Sequence, residues 1–149
     1  MENKKMSLSE KNKNILMIEL NRIIEETAER TARSVIDGTI IEGMAYPPNN
    51  GFTETEKKAL LKIQSIENIE STLRKILADA ASYPLFGLFC LIDGVSDPET
   101  ENWDGITLVD RGDKIVESEF MLHDELYETY WDWRKIRKNK GWKLDILDD

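Results

Sequence analysis

A single cysteine and a single histidine set the first limits on this chain. With only Cys90, no intrachain disulfide framework exists, and the thiol reads as a small apolar side chain within an apolar run. Zinc sites need several Cys or His ligands, and one of each excludes the usual structural sets. A di-iron carboxylate site needs Glu-x-x-His on two helices, and the residue three before His123 is Phe120. No glycine-rich phosphate loop precedes a helix, which removes P-loop and dinucleotide folds. Gly94-Val-Ser96-Asp97-Pro98 lacks the second glycine of a nucleophile elbow. No cofactor is therefore expected.

Long apolar segments are scarce as well. Lysines near the N-terminus are not followed by an apolar stretch, so no secretory signal is expected there. No window approaches the roughly 20 apolar residues of a membrane span, and the expectation is a cytoplasmic protein without a membrane partner. Internal repeats, low-complexity tracts and linkers between two cores are absent. A chain of 149 residues then reads as one domain over 1–149, with 1–8 and 143–149 loosely held. At this length it can bury about 70% of its unfolded surface without help from a metal or disulfide.

Acidic charge is abundant, and it is concentrated. The net charge is −9. Between Asp93 and Asp132 thirteen acidic residues face only Arg111 and Lys114, a local balance of −11 that leaves +2 for the rest. So acidic a half disfavours binding to a phosphate backbone. It suits either simple solubility or attraction of a basic protein.

Helical patterns fill the first half. Ser7-Leu8-Ser9-Glu10 has capping-box spacing, followed by a stripe of Leu16, Leu20, Ile23, Ile24, Thr27, Thr31 and Val35, and Gly38 is placed to end the helix. Glu26–Arg30 and Glu29–Arg33 are i,i+4 pairs on its solvated side. Thr39–Asn50 is a break, and Pro47-Pro48-Asn49-Asn50-Gly51 is turn chemistry. Thr53-Glu54-Thr55-Glu56 is a second capping box, with Ala59, Leu60 and Ile63 on the buried side. A third helix is expected over Glu67–Ser82, on a stripe of Ile69, Leu73, Ile76, Leu77 and Ala80, with Pro84 as its stop.

The run Tyr83–Val95 has no helical spacing and contains Pro84 and Gly87. It reads as a strand, Leu85–Asp93, buried on both faces. Gly105–Asp110 and Lys114–Glu117 read as two further strands joined by Arg111-Gly112-Asp113. A last helix is expected over Glu119–Asn139. The expected fold is α+β: three N-terminal helices, a three-stranded antiparallel sheet, then a C-terminal helix.

Two regions could carry function. In the last helix, Tyr127, Trp131 and Arg134 are residue types of interface hot spots, and Asp124 and Glu128 lie beside them. These five are the candidate protein-binding residues. Stacking on single-stranded nucleic acid and plain core packing are competing uses of the same aromatics. In the loop after the apolar run, Asp93, Asp97, Glu99, Glu101 and Asp104 are the alternative, as ligands for a hard cation, although EF-hand spacing is missing. His123, with Glu119 and Tyr127 one turn away on either side, could act as a general base.

The leading expectation is a non-catalytic acidic module of inhibitor, immunity or adaptor type that docks a basic protein. A small carboxylate- or Mg-dependent hydrolytic enzyme is the alternative. Homodimerisation through the Trp-rich helix fits either.

Overall fold

In a computed structural model, the structure describes residues 8–111, 130–136 and 147. Among the described residues five helices occur in chain order: α1 (Glu10–Asp37), α2 (Ile40–Gly43), α3 (Glu54–Gln64), α4 (Ile69–Ile92) and α5 (Tyr130–Ile136). None of the described residues lies in a strand. The α+β expectation and its three-stranded sheet are thereby corrected, and the described architecture is all-α.

The correction centres on α4. The helix does not stop at Pro84 but runs through it and ends at Ile92, so Leu85–Ile92 is helix rather than strand. The physical reason lies in the pattern. Ala80–Ile92 has no charged residue, and a segment apolar on every side shows no 3.6-residue period, so periodicity cannot separate it from a buried strand. Proline removes one helical donor, and elongation past it is sustained by the good helix formers on both sides. Residues 105–110 are irregular coil. Lys114–Glu117 falls outside the described residues, as does most of the expected helix Glu119–Asn139, of which Tyr130–Ile136 is described and helical.

The start of α1 is also shifted. Its cap among the described residues is Ser9, and Ser7 of the expected box falls outside them. The Asn12 backbone N–H donates to Ser9 Oγ at 3.3 Å, and the Lys13 N–H donates to the Ser9 carbonyl at 2.8 Å. At the other end Gly38 adopts φ +81°, the left-handed conformation expected of a C′ residue. Gln64, the last residue of α3, donates from Nε2 to the Val35 carbonyl at 2.9 Å, satisfying an acceptor that the helix end leaves open. Asp37 Oδ1 accepts from the Thr39 N–H (2.9 Å) and Oγ1 (2.6 Å), and these bonds hold its carboxyl below the ordinary range.

The capping box of α3 forms as expected. Thr53 N–H donates to Glu56 Oε2 at 2.6 Å, and Glu56 N–H donates to Thr53 Oγ1 at 3.3 Å. The expected turn also forms: the Pro47 carbonyl accepts from both the backbone N–H and the side-chain amide of Asn50 (3.1 and 2.9 Å), with Asn49 at φ 55°. The expected buried side of α3 is only partly realised, since Leu60 and Ile63 are half-buried and Ala59 is exposed.

The chain divides into two compact units, each built from two stretches: Met1–Ala32 with Glu70–Ile115, and Arg33–Ile69 with Val116–Asp149. In the first, α1 meets α4. Ala28 and Ala32, one helical turn apart, are fully buried on α1. They are the apolar core residues of the described part, and the larger side chains of the expected stripe are half-buried or, for Ile23, exposed. Small side chains at the contact let two helices approach closely. Arg74 of α4 donates to Glu29 Oε2 of α1 at 2.8 Å, and the carboxylate raises the guanidinium's proton affinity further.

Candidate interaction surface

The acidic loop begins where α4 ends. The Asp93 N–H still donates to the Phe89 carbonyl at 2.8 Å, so helical geometry carries the chain to the first carboxylate. Asp93, Asp97, Glu99, Glu101 and Asp104 are all exposed. Trp103 and Pro98 are half-buried among them.

The far end of the loop is fastened. Asp110 Oδ1 accepts from the Asn12 side-chain amide at 2.8 Å and from the Ser9 backbone N–H at 3.1 Å. A carboxylate is thus held against the first turn of α1, where unpaired N–H groups and the helix dipole favour negative charge. The bond from Asn12, then those from Ser9, hold the Asp110 carboxyl below its ordinary value. The sequence reading did not single out Asp110. Its partners lie about a hundred residues away, and no local spacing marks them. The loop is therefore a solvated acidic segment, continuous with a helix at one end and clamped to a second helix at the other.

A groove of about 570 Å³ lies between α1 and α4. Ala28 and Ala78 line its apolar part, and Glu25, Glu26, Glu29, Arg74 and Lys75 surround it. Along α1, Arg22 pairs with Glu19 and Glu26, which further strengthens its hold on its proton and lowers that of Glu19. These exposed pairs organise the charged side of α1 and contribute little to stability.

Of the candidate protein-binding residues, Trp131 and Arg134 lie on α5, three residues apart and so on one side of it, and both are half-buried. Asp124, Tyr127 and Glu128 fall outside the described residues, as do His123 and Glu119. Among the described residues no group of three or more His, Cys, Asp or Glu side chains gathers as it would around a metal ion.

Comparison with known proteins adds no relative: no family model matches the chain, and no curated protein or solved structure is significantly similar to it.

Proposed function

We propose that this chain is a non-catalytic protein-binding module whose acidic loop docks a basic protein surface, in the manner of an inhibitor, immunity protein or adaptor. One observation carries the reading. Five carboxylates stand exposed along 93–104, and the loop is fixed at both ends by α4 and by the Asp110 clamp. Anchoring the loop at both ends narrows the conformations open to it before a partner arrives, so less ordering entropy is lost on docking. Its field accelerates encounter with a positively charged surface. Independently of the loop, Trp131 and Arg134 on α5, in the second unit, are of residue types that anchor interfaces. A cytoplasmic setting belongs to the same reading, and the unpaired thiol Cys90 is compatible with it.

Affinity capture from the native cell tests this. The parent chain is compared with a variant carrying Asp97→Asn, Glu99→Gln, Glu101→Gln and Asp104→Asn. A stoichiometric basic protein is expected on the parent, lost on the amide variant and eluted by about 0.5 M salt. Recovery of no such protein, or equal recovery on both chains, refutes the proposal.

A further inference from the structure

The second half of α4 is apolar but incompletely covered. Ala80–Ile92 contains no charged residue, yet no residue of α4 is fully buried. A helix apolar on every side belongs either inside a protein or inside a membrane. By length and composition alone, α4 as a whole is long and apolar enough to cross a membrane. Its uncharged part decides against that occupant. Thirteen residues rise roughly 20 Å, well short of the roughly 30 Å hydrocarbon core. The preceding turns carry Glu70, Arg74, Lys75 and Asp79, and Arg74 is paired with Glu29 of α1.

One side of α4 is the most open. Ile76 (58% exposed), Tyr83 (65%) and Phe86 (70%) share it at helical spacing, with the exposed Ala80 and Gly87 between them. The same side has an ordered charge pattern. At 100° per residue, Lys75 and Asp93 each fall within about 20° of Phe86 and about 80–100° from Tyr83 and Ile76, so they stand on one flank of this side, one at either end of the apolar stretch, with Lys75 also at the rim of the groove against α1. Neither side chain makes an ion pair or hydrogen bond among the described residues. The side is therefore basic at its beginning, apolar in its middle and acidic at its end.

We propose that this side of α4 binds the same side of a second copy of this chain, with the two helices antiparallel about a twofold axis between residues 84 and 85. An isologous interface must complement itself, and this pattern does so in only one direction. Antiparallel pairing brings Tyr83 against Phe86 of the second copy, twice. It sets Lys75 within one residue's rise of the second copy's Asp93, again twice. Asp79, one turn from Lys75 on the same side, adds a second carboxylate near each lysine. Parallel pairing would set lysine on lysine and aspartate on aspartate. In area, the two aromatics at their observed exposure offer roughly 270 Å² per chain, a third of the about 800 Å² that a standard interface needs from each partner. Ile76, Ala80, Gly87 and the flanking charged side chains add to this area. This surface is separate from the proposed docking of a basic protein, apart from the shared Asp93.

Sedimentation of the full chain between about 1 and about 100 µM tests the proposal. The parent should become dimeric within this range, the strength expected of a modest interface. Phe86→Glu should leave a monomer at every concentration with unchanged helical circular dichroism, since the side chain is exposed. Lys75→Glu should weaken the dimer about tenfold, and adding Asp93→Lys to it should restore the dimer. A parent that stays monomeric overturns the proposal, as does a dimer indifferent to Phe86→Glu. So does a double variant no better than Lys75→Glu alone. Co-sedimentation of a monomeric parent with phosphatidylcholine vesicles would assign the surface to a bilayer instead, and would equally overturn it.

Discussion

Two glycines close together in the chain should respond to the same substitution with opposite signs. Gly38 stands just past α1 at φ +81°, and Gly43 is the last residue of α2 at an ordinary negative φ. A methyl group built on Gly38 would lie 3.5 Å from Gln64 Nε2, an ordinary contact, and one on Gly43 would touch nothing within 4 Å. Neither change is decided by collision, so the difference is purely conformational. For Gly38→Ala, the left-handed backbone costs an L-residue about 1–2 kcal/mol. Alanine also restricts the unfolded chain, which returns about 0.4–1 kcal/mol. The net is a loss of about 1 kcal/mol, or a Tm lower by about 2–4 °C at this chain length. Gly43→Ala keeps the unfolded-state gain and adds helix propensity, so it should raise stability by about 0.5–1 kcal/mol. Asparagine at 38 tolerates the left-handed region and should lose less than alanine. Urea unfolding followed at 222 nm reads all three, with the slope unchanged if only stability moves. Equal stability for Gly38→Ala and the parent, or shifts of the same sign at 38 and 43, would show that Gly38 is not held as the end of α1.

Two further expectations follow from the clamp and from the core. Because the Asp110 carboxyl is held low in the folded protein, its contribution is complete above about pH 5 and is lost as pH falls through that lowered value. Asp110→Ala should therefore be less stable than the parent at pH 7, with the gap closing as pH falls through the lowered value; a gap independent of pH would count against the clamp. In the core, Ala28 lines the groove between α1 and α4 whereas the equally buried Ala32 does not. Ala32→Leu should cost about 1–3 kcal/mol through overpacking and Ala28→Leu distinctly less, and thermal unfolding showing the reverse order would refute this account of the packing.

What the sequence made legible was whatever is written locally. The Thr53–Glu56 box, the Pro47–Asn50 turn and the Gly38 stop each depend on residues within a few positions, and each forms. Three kinds of feature escaped. Ala28 and Ala32 are the fully buried hydrophobic residues among those described, but hydropathy weights size, and small residues look unimportant in a stripe of leucines and isoleucines. The apolar run of α4 carried no period by which helix and strand could be told apart, so Pro84 and Gly87 decided the reading and decided it wrongly. Asp110 gains its role from Ser9 and Asn12, and nothing in its own neighbourhood announces a partner so distant. On the candidate surface, the acidic concentration at 93–104 was plain from charge alone, and its fastening was not.

That fastening also imposes an order of events during synthesis. The first turn of α1 emerges early, but the carboxylate that accepts the Ser9 N–H and the Asn12 amide is encoded 101 positions after Ser9. At about 5–20 residues per second, the ribosome needs roughly 5–20 s to supply it, long after helices themselves can form. Throughout that interval the cap among the described residues is the Ser9 hydroxyl. Ring closure by Asp110 is thus a late step of maturation, and a nascent chain halted before residue 110 should display a frayed leading turn that the released protein lacks.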